Sequence, residues 1–247
     1  STISGQGLGA QERWDGRITV DEEIGLLGAV GFDCSVLKGR RFINLDSEAE
    51  GSLWISCAGG LSGVSHIPVT RLDAEGEKLT VKISGLMGGH SGAEIDKNRA
   101  NANSLLGKFL HGLDEKTDFE LISVQGGQKD NAITREATAE ILVLEENVDA
   151  VREYAASVQG AWREEYAGTD EGITVTVEDE GKQEVRVLHP TSKEKVIFFL
   201  VNVPYGVQKM SGTIKGLVET STNIGILKTS ENEVMGSSSI RSSVETA

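Results

Sequence analysis

The chain has 247 residues, 38% of them hydrophobic and 25% charged, the balance of a globular protein with one large domain or two modest ones. Its formal net charge of −14 argues against nucleic acid or an anionic membrane as partner, because both need a basic surface. The strongest apolar run, Val196 to Val203, is too short to cross a bilayer, and no basic-then-apolar leader pattern is visible. Two cysteines, Cys34 and Cys57, allow at most one disulfide, so a reduced cytoplasmic setting is expected.

In chain order, the first seventeen residues show no sustained period and read as loop. Ile18 to Asp21 is expected as a short strand ending at a carboxylate, and Arg41 to Asp46 as another. Leu79, Val81 and Ile83 alternate with polar residues at the strand period. A helix is predicted over Asn98 to Leu113, with Leu105, Leu106, Phe109, Leu110 and Leu113 on one face. Ala137, Ala139, Ile141 and Val143 alternate again, and Val148, Val151, Tyr154, Ala155, Val158 and Trp162 repeat at helical spacing. Ile173, Val175 and Val177 give another strand, with Glu184 to Leu188 as its expected hairpin partner and Val196 to Val203 as a buried strand. The predicted fold is α/β, with a domain boundary near Gly59-Gly60 and, beyond it, helices on one face of a largely antiparallel sheet.

The residues with chemical promise are few. Asp21-Glu22-Glu23 sets adjacent carboxylates before Gly25, Asn44 to Glu48 adds Asp46, and His90 stands between glycines in Gly88-Gly89-His90-Ser91-Gly92. Carboxylate ligands, a carboxylate proton shuttle and an imidazole are the pieces of hard-cation hydrolysis. Taken singly, each also fits a solvated acidic turn or a loop histidine. No histidine precedes Asp21.

Together, in order, these segments resemble the aminoacyl-histidine dipeptidases of the co-catalytic zinc exopeptidase and deacylase family. The resemblance is carried by Asp21 to Gly25, Asn44 to Glu48, Cys57 to Gly60, Gly85 to Asn103, Gly126 to Ala137, Asn202 to Asn223 and Ser239 to Ala247. It implies a zinc-peptidase catalytic sheet over residues 1–59 and an α+β lid or dimerisation domain over 60–247, built from strand-helix-strand units. It further implies two zinc ions, with cobalt or manganese as substitutes. Residue by residue, Glu22 matches the general base, Glu23 and Asp46 match metal ligands, and His90 matches the lid histidine that steadies the oxyanion. Asn131, Asn223 and Arg241 match substrate-binding positions, with Arg241 as the carboxylate clamp.

The family's His-x-Asp motif and bridging aspartate find no counterpart before Ile18, and its last histidine ligand would follow Ala247. His66, His111 and His189 match no ligand motif. The chain is therefore expected to be a piece of such an enzyme, lacking both ends and inactive alone. The implied reaction is hydrolysis of Xaa-His dipeptides such as carnosine, with a homodimer formed through the lid. The alternatives are a deacylase or aminoacylase of the same family, or an isolated lid acting in dimerisation or substrate capture.

Overall fold

The structure is a computed structural model that describes residues 18–20, 27–39, 43, 50–52 and 56–244. The chain divides into two compact units, Ser1–Ile55 and Ser56–Ala247. In the first, the described residues include a short helix α1 (Leu27–Val30) and a 3-10 turn over Cys34–Val36, capped by the Asp33 carboxylate accepting from Ser35 N at 2.9 Å. Ile18 to Val20, expected as a strand, adopt no regular strand, and of the segment expected at Arg41 to Asp46 only Ile43 is described, also outside any strand. Val20 uses its carbonyl in a local contact instead, accepting from Gly28 N at 3.1 Å.

The second unit is an eight-stranded, wholly antiparallel sheet in the order β1 (Gly59–Pro68), β10 (Glu233–Ser242), β9 (Val218–Thr229), β4 (Glu120–Gly126), β6 (Ala137–Val143), β2 (Arg71–Ser84), β7 (Thr174–Leu188), with β8 (Gly206–Met210) also beside β9. A separate two-stranded ribbon joins β3 (Gly89–His90) to β5 (Ala132–Ile133). Alternation decides what lies inside. Leu79, Val81 and Ile83 of β2 and Ala139 and Ile141 of β6 are fully buried, whereas Lys78 and Lys82 between them reach Glu140 at 2.7 Å and Glu136 at 2.9 Å. Three helices close the apolar side: α2 (Ala102–Asp114), α3 (Val148–Glu165) and α4 (Pro190–Asn202). Helices on one face of an antiparallel sheet, as the sequence predicts, are thus what forms.

Helix α2 buries Leu105, Leu106, Phe109, Leu110 and Leu113, and α3 buries Val151, Ala155 and Trp162. Two expectations are corrected. The run from Val196 to Val203 belongs to α4, with His189 Nδ1 capping it by accepting from Thr191 N and Pro190 at its first position. Val196, Ile197 and Leu200 turn inward while Phe198 is 70% exposed, so the run covers two faces of one helix rather than both faces of a strand. Glu184 to Leu188 is not a hairpin partner either. It continues β7 along β2, past a register shift between Glu77 and Leu79 and a Gly181 at φ 76°, so one strand carries what reads as a turn. No described helix is long and apolar enough to cross a membrane.

Candidate functional site

Gly88 (φ 67°) and Gly89 (φ 140°) allow the chain to bend tightly into β3, and the bend delivers His90 to an exposed position. The ribbon then ties the next residue down, with Ser91 N donating to Asn131 O at 2.9 Å. The turn that follows aims two backbone N–H groups at the imidazole: Gly92 N lies 3.2 Å and Ala93 N 3.0 Å from Nδ1. A ring nitrogen that accepts from N–H groups carries no hydrogen of its own, so the imidazole proton resides on Nε2. His90 therefore presents a donor, the character needed to stabilise a developing oxyanion.

Arg241 arrives from the opposite end of the chain on β10, beyond the bulge between Ser237 and Ser238. A Cβ on Gly92 would stand 2.9 Å from His90 Cε1, 3.0 Å from Arg241 Nε and 3.1 Å from its Cζ. The imidazole and the guanidinium thus flank one glycine, and a Cβ there would require one of them to give way. Among the described residues Arg241 Nε is buried without a hydrogen-bond partner, and Arg241 forms no salt bridge. A buried guanidinium nitrogen without an acceptor is poised for an incoming anion, because leaving it unpaired costs about 1–3 kcal/mol.

Asn131, half-buried beside β5, contributes its carbonyl to Ser91, and its side chain makes no hydrogen bond among the described residues. Asn223 sits differently. It is fully buried, its Nδ2 donates to Asp130 O at 2.8 Å and Ala132 O at 2.9 Å, and its Oδ1 accepts from Asn101 Nδ2 at 3.0 Å. It clasps both sides of Asn131 from beneath, with both amide protons committed to the protein. The clasp belongs to a wider buried network. Asn101 caps α2 by accepting from Asn103 N and Ser104 N, Asn103 Nδ2 donates to Thr134 Oγ1 at 3.1 Å, and Ala102 N donates to Thr134 O at 2.9 Å. Gly127 (φ 69°) completes the loop, since a Cβ there would run into Gly225 O.

The structure brings His90, Asn131, Asn223 and Arg241 into one region. Glu22, Glu23 and Asp46 lie outside the described residues. Among the described residues no group of three or more His, Cys, Asp or Glu comes together as a metal ion requires, so these residues alone do not fit a zinc centre. His66 pairs with Glu233 at 3.0 Å on the exposed edge and His189 caps α4. Sequence reasoning passed over Glu94, Arg99 and Asn101. The signal for Asn101 was an Asn-x-Asn immediately before an amphipathic helix, which is a cap pattern.

These features define a class: an antiparallel sheet backed by helices on one face, with a cluster of polar groups gathered beside a small two-stranded ribbon. Residues 81–170 match the family model described as the peptidase dimerisation domain. The chain is 35% identical over 230 residues, 92% of its length, to the cytosol non-specific dipeptidase of Escherichia coli (strain K12). It also matches the crystal structure of aminoacylhistidine dipeptidase from Vibrio alginolyticus, with a TM-score of 0.80, 35% identity and 92% of this chain covered. In both comparisons the chain spans about half, 47%, of the other protein's length. The resemblance to the aminoacyl-histidine dipeptidases read from the motifs is borne out by all three matches.

Proposed function

We propose that this chain supplies the substrate-holding half of a metallo-dipeptidase that hydrolyses Xaa-His-type dipeptides. The observation that carries the reading is the juxtaposition of a donor imidazole, His90, with the unpartnered buried Nε of Arg241 across Gly92. A dipeptide offers matching groups a few ångströms apart: a scissile carbonyl for His90 Nε2–H and a terminal carboxylate for Arg241. Asn131 is the remaining polar side chain free to meet the substrate backbone, and Asn223 serves binding by holding Asp130 to Ala132 in place. By the resemblance, Glu22 is assigned the general base, and Glu23 and Asp46 the binding of a zinc, cobalt or manganese ion. A cytosolic location accords with the name of the Escherichia coli relative.

The test is titration of the purified chain with carnosine and with carnosine amide, following the His90 ring and Arg241 Nε–H signals by NMR. Carnosine should shift both, and the amide should bind at least tenfold more weakly, since it lacks the carboxylate. Equal binding of the two, or no shift at either residue, overturns the reading.

A homodimer through this unit is also inferred, and the two sheet edges support it unequally. The outer edge strand β7 is studded with Glu178, Asp179, Glu180, Lys182 and Glu184. Strand β1 (GGLSGVSHIP) carries no Asp, Glu, Lys or Arg and leaves Leu61 66% and Val64 52% exposed. An uncharged, exposed edge favours pairing with another strand. A particle mass twice the 26.4 kDa of the chain is the expected result of light scattering.

A further inference from the structure

The functional reading uses His90 but leaves unexplained the ion pair packed against its backbone. The Glu94 carboxylate accepts from His90 N at 3.0 Å through Oε2, and from Arg99 Nη2 at 2.8 Å and Lys97 Nζ at 3.1 Å through Oε1. Glu94 N returns a bond to His90 O at 3.0 Å, so residues 90 and 94 are linked in both directions. Arg99 continues the chain of contacts, donating through Nη1 to Gly88 O, while its own carbonyl accepts from the half-buried Tyr205 hydroxyl at 2.7 Å. The pair presses directly on the bend: a Cβ on Gly89 would collide with Arg99 Nη1 and with Glu94 Oε2.

From this geometry we propose that Glu94, held by Arg99, is a positioning residue that fixes the orientation and tautomer of His90. The proposal rests on the reading that His90 faces the substrate. The physical argument is one of constraint. Two glycines with positive φ precede His90, and such backbone is free to swing unless something holds it. Glu94 and Arg99 pin it at Gly88 O and at His90 N, on either side of the flexible bond pair. With the backbone pinned, Gly92 N and Ala93 N remain directed at Nδ1, which leaves the proton on Nε2. Three donors, first among them the His90 amide, hold the Glu94 carboxyl down at about 2, so it stays an anion throughout the range where a peptidase works. Both side chains are half-buried, Arg99 13% and Glu94 27% exposed, so solvent screens the pair only in part and its geometry is held.

The experiment compares the wild-type chain with Glu94→Ala and Arg99→Gln, without ligand, by long-range nitrogen-proton NMR of the four histidine rings. Wild-type His90 should show a single Nε2–H tautomer. In both variants His90 should populate the second tautomer or broaden through exchange, while His66, His111 and His189 keep their signals. Carnosine affinity should fall about tenfold in step. An unchanged His90 ring in a folded Glu94→Ala chain overturns the proposal. Should Glu94→Ala fail to fold, Arg99→Gln decides by the same criterion. Loss of the tautomer preference in Glu94→Ala, together with a wild-type chain that does not bind carnosine, supports the positioning role and sinks the substrate reading instead.

Discussion

Asn223→Ala separates a residue that holds the site from one that meets the substrate. The substitution removes three hydrogen bonds, to Asp130 O, Ala132 O and Asn101 Nδ2, at 2.8, 2.9 and 3.0 Å. At about 1 kcal/mol net for each bond, the loss is about 3 kcal/mol, rising to ~5 kcal/mol if the stranded carbonyls stay dry. Asn101 keeps its second bond, to Ile224 O at 3.0 Å, so the α2 cap survives and the damage centres on residues 130–132. Equilibrium urea unfolding, followed through the buried Trp162, should register the loss as a lowered midpoint with little change in slope. Hydrogen exchange at the Ser91 amide should accelerate, because its acceptor is Asn131 O between the two released carbonyls. Ser62→Ala provides the contrast: it deletes one exposed bond to Asp130 Oδ2 and should change stability by less than about 0.5 kcal/mol. A loss below ~1 kcal/mol for Asn223→Ala, with Ser91 exchange unaltered, would refute the clasp.

Gly92→Ala should leave the urea midpoint nearly unchanged yet weaken carnosine binding at least tenfold, since its Cβ must displace His90 or Arg241; calorimetry checks this. Arg241→Met should abolish binding while raising the stability of the free chain slightly, because the unpaired buried Nε disappears with it; a lowered midpoint would argue that the guanidinium is already satisfied. Burial raises the hydroxyls of Tyr166, to about 12, and of Tyr205 above the unfolded value of 10.0. A folded value raised in this way favours the neutral form, so the stability it confers is complete below pH 10.0 and is lost as pH climbs toward about 12. Tyr205→Phe should flatten that alkaline decline and lose about 1 kcal/mol at neutral pH, with its bond to Arg99 O; urea midpoints across the pH series report both. Val64→Lys places a charge on the uncharged β1 edge and should shift the scattering mass toward 26.4 kDa.

Local period made the sandwich of helices and sheet legible. The apolar stripe from Leu105 to Leu113 and the alternation from Leu79 to Ile83 each name one buried face, and both faces are buried as predicted. The apolar run in α4 carried no period, since Phe198 and Phe199 fill positions a strand or a helix would accept equally, and His189-Pro190 was the overlooked arbiter. In β7, Asp179-Glu180-Gly181 reads as a turn, but tertiary pairing with β2 absorbs it as a bulge. At the site, glycines on both sides of His90 were a local signal of exposure and proved to be so. The meeting of Arg241 with Gly92 depends on β10 aligning with β9 and on the loop under β5, contacts distant in sequence that no window captures.

The polar groups of this region fall into two sets, and the division is itself an argument about function. Asn101, Asn103, Thr134 and Asn223 are buried and spend their donors on backbone and on one another, with Asn103 Oδ1 the one acceptor of these four side chains left unpaired among the described residues, and the network stiffens the floor. Above that floor, His90 Nε2–H and Arg241 Nε point at nothing among the described residues. A fold selected for stability alone would pair or remove a buried guanidinium nitrogen, because its desolvation is uncompensated. Under the proposed function, holding it unpaired next to an imidazole whose tautomer two backbone amides have already chosen stores that cost until an anion with a neighbouring carbonyl recovers it. Preorganisation of this kind converts lost stability into affinity for one shape of ligand.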